Sequence, residues 1–232
     1  LAIETSSAAG SVAALSHENQ PSGNLLAELR LNPSQRGAQS LAPALADLLR
    51  QAGWKPRDVQ LVAVSVGPGS FTALRVGVTT AKTFAYAVSA QVLAIDTSEV
   101  IAARVDAPAG QVIATAIDAQ RGDVYAATFR RLGPFALEPV QPTKILPADQ
   151  WIGGLSAGSV VSGPAVEKLA ARLPRTVRVA SQDAWLPSAE AVARLAIVKY
   201  AAGQRDDVWR LVPHYLRPSA AEERRSPVER PS

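Results

Sequence analysis

The segment whose residues could most clearly bind a ligand is VSVGPGSFTALRVG. It is a glycine turn between an apolar run and a run of small residues. Gly67 and Gly69 allow close backbone approach, and the free N–H groups at a helix start attract anions. A P-loop needs a lysine directly after its last glycine, whereas the first lysine after this turn is Lys82. The Rossmann spacing fails too, because Thr72 occupies its last glycine position. Two alternatives remain: a phosphate or nucleotide site that includes Gly67, Gly69 and Ser70, and a tight turn that only joins two elements.

Two carboxylates occupy matching positions in two similar segments, AIETSSAAGSVAAL and AIDAQRGDVYAATF. Each segment has Ala-Ile, then a carboxylate (Glu4 or Asp118), a polar turn with glycine, and a valine. A carboxylate at the mouth of a hairpin, twice in one chain, predicts two related halves, and chance similarity of two hairpins is the alternative. Such carboxylates can accept N–H bonds or hold magnesium through a phosphate. With Thr5 and Ser6, Glu4 completes the candidate phosphate or nucleotide site, and we expect Glu4 not to act as a catalytic acid or base.

Composition excludes several kinds of catalytic site. The chain has no cysteine, so it has no disulfide, thiolate nucleophile or cysteine-based zinc site. Its two histidines, His17 and His214, lie far apart and form no helical pair, so we expect no metal and no catalytic residue in this chain. The formal charge of +4 is scattered and aromatic residues make up only 5%, which argues against tRNA binding by this chain alone. No run approaches the ~20 apolar residues of a membrane span, so we expect no membrane contact and a cytoplasmic location.

Hydrophobic periodicity and turn residues predict, for the first half, strands at 1–6, 11–15, 25–31, 61–66 and 91–95 and helices at 39–51, 72–89 and from Thr97. A break at Pro108 divides the chain into halves at 1–107 and 108–217, and the polar segment 218–232 is expected to be a disordered tail. In the second half, dense prolines predict irregular structure over 133–150. A strand–turn–helix unit in VVSGPAVEKLAARL and a helix over 188–202 follow. Leu1 already lies in an apparent strand and methionine is absent, so an initiator is expected upstream.

The helices predicted at 39–51 and 72–89 carry more apolar surface than one sheet needs. In each helix, an apolar stripe at helical spacing is accompanied by a second face of small residues. The residues of these second faces are Ala42, Ala46, Ala73, Gly77, Thr80 and Phe84. Small residues allow another helix to approach closely, so one interpretation is a helix–helix interface with a partner chain. The alternative is a pair of helices buried on both sides within their own half.

Four segments stand in a distinctive order and spacing: LAIETSSAAGSVAAL, SVGPGSFTALRVGVTTAKTFAYA, AIDAQRGDVYAATF and LVPHYLRPSAAEER. They resemble the TsaB family, bacterial subunits of the machinery that makes threonylcarbamoyladenosine in tRNA. GPGSFTALRVG is the most specific element, with Ala73 where the family usually has glycine. The resemblance covers nearly the whole chain, from Leu1 to about Arg224. It implies the α/β, actin-like (ASKHA, ribonuclease-H-like) fold of two related halves around a cleft.

The resemblance also implies a function. The catalytic relative of these subunits, TsaD, carries a histidine pair spaced HxxxH that binds iron or zinc, whereas the matching helix start here reads QRGAQSLAPAL. The chain is therefore expected to be a non-catalytic partner of a TsaD-like catalytic subunit, with a TsaE-like ATPase in the same complex and a homodimer when alone. ATP or ADP and the metal are expected in the partner subunits, and tRNA only through the complex. First-half helices of the family pair with TsaD and with each other, which favours the partner interpretation of the small-residue faces.

Two other functions occur in the wider fold family. A stand-alone nucleotide-binding ATPase or small-molecule kinase is the main alternative, but such kinases usually have Asp where this chain has Glu4, and the glycine turn lacks a lysine. A peptidase, an old label of the wider family, would need a histidine pair, a cysteine or a supported triad. ATP turnover by the purified chain would favour the kinase.

Overall fold

The first half of the chain forms a five-stranded sheet. The structure, a computed structural model, describes residues 1–7, 10–17, 22–32 and 37–217. The strands are β1 (Ala2–Glu4), β2 (Ser11–Ser16), β3 (Asn24–Arg30), β4 (Leu61–Gly67) and β5 (Gln91–Asp96). Their order is β3-β2-β1-β4-β5, with β1 antiparallel to β2 and parallel to β4, which is parallel to β5. The carboxyl ends of β1, β4 and β5 therefore meet at one edge of the sheet.

The second half repeats this arrangement. Its strands are β6 (Val112–Asp118), β7 (Asp123–Gly133), β8 (Ala136–Pro147), β9 (Val160–Ser162) and β10 (Arg178–Val179), in the order β8-β7-β6-β9-β10. Again the first strand is antiparallel to the second and parallel to the fourth. The chain thus has the α/β, actin-like fold of two related halves. The boundary between residues 107 and 108 stays a prediction.

Helices cover both faces of the first sheet. The helices are α1 (Gly37–Ala52), α2 (Phe71–Val88), α3 (Thr97–Arg104), α4 (Ala148–Gly153), α5 (Val166–Leu169) and α6 (Ala189–Ala201). Helices α1 and α2 pack on one face, where Ile3 and Val64 join their apolar side chains in one core. Helices α3 and α6 pack on the other face, against Ala2, Ala63 and Leu93. Neighbouring residues of β1 thus point into opposite cores, as strand geometry requires. Although α6 follows the second sheet in the chain, it covers the first.

Several predicted elements are confirmed. Helices α1 and α2 begin and end within two residues of the predicted ranges 39–51 and 72–89. The helix predicted over 188–202 is α6, and the Ser188 hydroxyl accepts a hydrogen bond from the Ala191 N–H at 3.3 Å. No helix among the described residues has the length and apolar character to cross a membrane. The predicted tail, 218–232, lies outside the described residues.

The prediction of irregular structure over 133–150 is wrong for most of that segment, because it contains β8. Proline lacks an N–H and is tolerated in sheets on edge strands, where one side needs no ladder hydrogen bonds. Strand β8 is the edge of the second sheet and pairs with β7, with Pro139 opposite Phe129 and Pro147 opposite Asp123. The prolines that suggested a loop are therefore compatible with a strand in this position.

A glycine at the end of an equivalent strand is a second feature that the two halves share. Strand β4 ends at Gly67 and β9 is followed by Gly163, each before a proline, and their φ angles are 118° and 114°. A Cβ on Gly163 would overlap the carbonyl oxygen of Ala116 and would lie 3.0 Å from both its carbonyl carbon and its amide nitrogen. Only glycine combines the left-handed φ with this close approach. The Gly163 turn therefore fixes where the chain leaves β9.

Gly163→Ala should destabilise the chain more than Gly53→Ala does. Both glycines have a positive φ, but a Cβ on Gly53 would have no atom within 4 Å. We expect Gly53→Ala to cost about 1 kcal/mol and Gly163→Ala about 3 kcal/mol, because the second adds overlap with Ala116 to the backbone strain. Thermal unfolding followed by circular dichroism should show a Tm several degrees lower for Gly163→Ala. Equal shifts in the two variants would contradict the close approach.

Candidate functional site

A cleft of about 550 Å³ lies between the two halves. Three segments line it: the glycine turn with the start of α2, the turn between β6 and β7, and residues 214–217. In open α/β sheets, ligands bind outside the carboxyl ends of the parallel strands, and the glycine turn follows the carboxyl end of β4. The glycine turn of the sequence-predicted phosphate site thus lies at this cleft.

Glu4, at the end of β1, is completely buried. Its Oε1 accepts hydrogen bonds from the Ser6 N–H at 2.7 Å, from the Ser65 hydroxyl at 3.0 Å and from the Ser6 hydroxyl. Its Oε2 is buried without a hydrogen-bond partner among the described residues. Burial raises the pKa of Glu4, and the hydrogen bonds from Ser6 and Ser65 only partly oppose this. The side chain thus joins the β1–β2 hairpin to β4 from inside the fold.

The glycine turn is attached to the same hairpin through the backbone. The Ser70 N–H donates to the Ser6 carbonyl at 2.8 Å, and a Cβ on Gly69 would lie 2.7 Å from the Ser6 Cβ. Ser70 precedes α2, but its side chain makes no capping hydrogen bond. The amide that a phosphate would meet first is therefore already paired within the protein. This arrangement favours a structural role for the turn, and phosphate binding at Gly67, Gly69 and Ser70 stays a prediction.

Thr5 and Gly77 make a close contact between β1 and α2. Gly77 is buried, and a Cβ there would lie 3.2 Å from the Thr5 Cβ and would overlap the Thr5 Oγ1. The Thr5 Oγ1 is itself buried without a partner among the described residues. The sequence-based placement of Gly77 on the outward, partner-facing side of α2 is therefore corrected. The small residue is needed here because α2 packs directly on its own sheet.

Asp118 has the opposite electrostatic setting from Glu4. Its Oδ1 accepts from the Gln120 N–H at 2.7 Å, and its Oδ2 pairs with the Lys168 ammonium at 2.6 Å. The Lys168 hydrogen bond lowers the pKa of Asp118, so the carboxylate is ionised at neutral pH and has its own counterion. Magnesium would have to compete with Lys168 for this carboxylate. Among the described residues, no three histidine or acidic side chains are grouped as a metal site.

The turn between β6 and β7 brings strained backbone into the cleft. Gln120 and Arg121 line the cleft and have φ angles of 64° and 56°. Non-glycine residues in this left-handed region cost about 1 kcal/mol each. The turn is held by hydrogen bonds of 3.0 Å between Ala119 and Asp123 and between Asp123 and Gln120. Since such strain is often stored at binding sites, Gln120 and Arg121 are candidate contacts for a cleft ligand that sequence analysis did not identify.

Residues 206–217, here called the C-terminal strap, run across the first half into the cleft. At its start, the Asp206 carboxylate accepts from the Ala94 N–H of β5 at 2.8 Å. Further along, the His214 N–H donates to the Val66 carbonyl of β4 at 2.8 Å. The strap therefore runs from the outer side of β5 to the carboxyl end of β4. Apart from an isolated β-bridge between Asp206 and Val92, it lies outside the strands and helices.

The end of the strap binds the second half. The Arg217 guanidinium pairs with Asp123 at 2.6 Å and donates to the carbonyl of Ala119, so it binds the β6–β7 turn at two points. Sequence analysis did not predict this role, because the strap has no periodic pattern and its partners lie up to 98 residues away. The available signal was the segment LVPHYLRP, which contributed to the family resemblance.

A second, apolar cavity of about 820 Å³ lies between α1 and α2. It is here called the α1–α2 groove, and its lining includes the predicted interface residues Ala42, Ala46, Thr80 and Phe84. Ala42 and Ala46 are exposed, while Thr80 and Phe84 are half-buried. Ala73 is half-buried and lies outside the groove lining. The structure thus gathers four of the six predicted residues on one face, and their contact with a partner stays a prediction.

The family of the chain follows from the similarity of its sequence to known proteins. The sequence model of TsaD, tRNA N6-adenosine threonylcarbamoyltransferase, matches residues 32–180, more than half of the chain. The chain belongs to the TsaD family.

Individual relatives agree with this family assignment. TsaB of Bacillus subtilis (strain 168), a tRNA threonylcarbamoyladenosine biosynthesis protein, is 35% identical over 103 residues, 44% of this chain and 43% of that protein. The match thus spans less than half the length of this curated relative. Two structures from Pseudomonas aeruginosa each cover 93% of this chain and 98% of their own. One, described as similar to the peptidase YeaZ, is 28% identical with a TM-score of 0.79, and YeaZ itself is 27% identical with a TM-score of 0.77. The resemblance to TsaB is confirmed.

In this TsaD-family chain, Glu4→Gln should change how stability depends on pH. Because burial raises the pKa of Glu4 from 4.5, the folded state holds this proton more tightly than the unfolded state. The wild-type free energy of unfolding should therefore fall, relative to that of Glu4→Gln, as pH rises above 4.5, and level off above the folded-state pKa. Urea unfolding of both proteins between pH 4.5 and 9 measures this difference.

Glu138→Gln on β8 is the matched control for that experiment, because Glu138 is an exposed glutamate that pairs with Arg130 at the surface. Its difference from wild type should stay nearly constant over the same pH range, since a surface ion pair contributes little to stability. A pH-independent difference for Glu4→Gln would contradict the raised pKa.

Proposed function

We propose that this chain is a partner subunit that supports a TsaD-like transferase in moving a threonylcarbamoyl group to adenosine of tRNA. The support from similarity is membership in the TsaD family together with likeness to TsaB, a tRNA threonylcarbamoyladenosine biosynthesis protein. The chain acts by complex formation rather than by its own chemistry. One observation carries this part of the proposal: both carboxylates predicted for the cleft already have structural partners, Glu4 with two serines and Asp118 with Lys168.

The proposed complex contains a TsaD-like catalytic subunit and a TsaE-like ATPase. ATP or ADP and the catalytic metal bind in those subunits, and tRNA is bound by the assembled complex. When alone, the chain pairs with a second copy of itself. This division of labour rests on the likeness to TsaB and on the contacts that Glu4 and Asp118 already make within the chain.

The α1–α2 groove is the proposed docking face for the TsaD-like subunit. Ala42 and Ala46 form an exposed strip of small side chains on α1, so a helix of another chain can approach closely. Across the groove, Thr80 and Phe84 supply half-buried surface on α2. Both helices are packed through buried leucines and valines onto the sheet beneath, so the sheet sets the positions of the two sides of the groove.

Docking at this face would act on the partner's conformation. A bound subunit shifts a conformational equilibrium only by its differential affinity for the two states. Each tenfold shift towards the working state of the transferase requires about 1.4 kcal/mol of such preference. The chain therefore needs no catalytic group of its own to change the rate of tRNA modification.

Ala46→Gln should weaken binding to the TsaD-like subunit by at least about tenfold, because the larger side chain fills space that an approaching helix needs. Ala201→Gln is the matched control, since Ala201 is also an exposed alanine and ends α6 on another part of the surface. Co-purification and isothermal titration with the TsaD-like subunit measure the effect, with Tm as the check on folding. Wild-type affinity of a folded Ala46→Gln variant would exclude the α1–α2 groove.

The alternative function is a stand-alone nucleotide-binding ATPase or small-molecule kinase, which the 550 Å³ cleft between the halves would serve. The kinase and the proposed subunit require different roles of Glu4. A kinase would use this carboxylate in the cleft, whereas the proposed subunit uses it as an internal hydrogen-bond acceptor.

Glu4→Gln should therefore leave tRNA modification by the reconstituted complex within about tenfold of wild type, or about 1.4 kcal/mol in the barrier. The purified chain should show no ATP turnover without its partners. A thousandfold loss in a folded Glu4→Gln variant, or ATP turnover by the chain alone that this substitution abolishes, would support the kinase instead.

A further inference from the structure

One face of α2 carries cationic and aromatic side chains rather than the small residues of the α1–α2 groove. Arg75, Lys82 and Tyr86 follow one another at spacings of seven and four residues, so they share a face of the helix. Arg75 and Tyr86 are exposed and Lys82 is half-buried. From Arg75 to Tyr86 the helix rises about 16 Å.

The C-terminal strap runs along this face in the opposite direction. At one end Trp209 packs edge-on against Tyr86, with ring centroids 5.2 Å apart. Lys82 donates to the Trp209 carbonyl at 3.2 Å. At the other end the Arg75 guanidinium donates to the Tyr215 hydroxyl at 2.8 Å. The five residues Arg75, Lys82, Tyr86, Trp209 and Tyr215 are here called the aromatic–cation face.

The aromatic rings of this face are open to solvent. Tyr86 is 66% exposed, Trp209 69% and Tyr215 41%. The other tryptophans, Trp54, Trp151 and Trp185, are buried or half-buried. Tyr215 packs on Phe71, with ring centroids 4.5 Å apart, so Tyr86 and Trp209 offer the larger exposed ring surface to a ligand.

The charge of this face favours an anionic ligand. Arg75 and Lys82 lie on it, and Arg210 beside Trp209 has a side chain that is 90% exposed. Two carboxylates of the strap lie nearby: Asp206 accepts from the Ala94 N–H of β5, and Asp207 accepts from the Trp209 N–H at 2.8 Å and pairs with Arg210 at 3.8 Å. Three cations thus stand against two carboxylates. A row of cations with interleaved, exposed aromatic rings is the arrangement that binds single-stranded nucleic acid, with phosphates on the cations and bases on the rings.

We propose that the aromatic–cation face binds a single-stranded segment of RNA. The choice of RNA over DNA rests on the proposed function, in which tRNA is the substrate of the complex. About 16 Å of helix accommodates about five nucleotides at the ~3.4 Å spacing of a stacked strand. Sequence analysis expected tRNA contact only through the complex, because charge is scattered along the chain. Folding brings together residues 127 to 140 positions apart, and a local composition count cannot detect such a cluster.

A titration of the purified chain with a uridine dodecamer tests the proposal without any partner subunit. Tryptophan fluorescence should fall as bases stack on Trp209, and binding should weaken with salt. Trp209→Leu should bind at least fivefold more weakly, because it removes a stacking surface, whereas Trp209→Phe should restore most of the affinity. Lys82→Ala should reduce the slope of log K against log salt by about 0.7, the value for one phosphate of a single strand.

Two further variants test binding without changing the contacts between the strap and α2. Arg210→Glu reverses the charge of a side chain that is 90% exposed and should also weaken binding, while Lys144→Ala, at an exposed cation on β8, should not. No binding at about 50 mM salt, or equal losses in Lys144→Ala and Lys82→Ala, would overturn the proposal. Variants that lose the TsaD-like subunit but keep the dodecamer would identify a protein-docking face instead. Failure of the proposed function alone would leave dodecamer binding intact, so the two outcomes are distinguishable.

Discussion

The hydrogen bond from the Ser70 N–H to the Ser6 carbonyl joins three parts of the first half at one point: the β1–β2 hairpin, the glycine turn and the start of α2. Because Gly69 and Gly77 have no side chains, the turn and the helix approach this hairpin more closely than a Cβ would allow. The position and rotation of α2 are consequently fixed. Both surfaces to which we assign partners include α2, so a shift of this helix would move the groove and the aromatic–cation face together.

The two carboxylates at equivalent positions show how related halves diverge. Glu4 is fully buried among serine hydroxyls, whereas Asp118 lies at the surface beside Lys168. Burial favours the neutral acid at the first position, and a cationic neighbour favours the anion at the second. The equivalent position in the two halves is therefore a buried hydrogen-bond acceptor in the first and a member of a solvated ion pair in the second.

Local patterns predicted much of this fold, because helix and strand periodicities and the repeated hairpin depend on residues that are close together in the sequence. The patterns failed where the outcome depended on distant neighbours. Strand β8 could not be recognised because its prolines are acceptable only at a sheet edge, and sequence does not reveal which strand is the edge. Spacing placed Gly77 on the same helical face as Phe84, but it could not show that α2 would bring Gly77 against Thr5. The contacts of the strap, over 90 residues apart in sequence, were equally invisible.

The path of the chain has a mechanical consequence for the cleft. The chain passes from the first half to the second before β6 and returns before α6. Two contacts between side chains and the opposite half accompany these crossings: the Arg131 guanidinium donates to the carbonyls of Ala102 and Ala103, and the Thr143 hydroxyl donates to Asp96. Arg217 adds a third attachment at the far end of β6, a strand's length from the first crossing. Widening the cleft therefore requires either the Arg217–Asp123 pair or the contact of the strap with Val66 to separate.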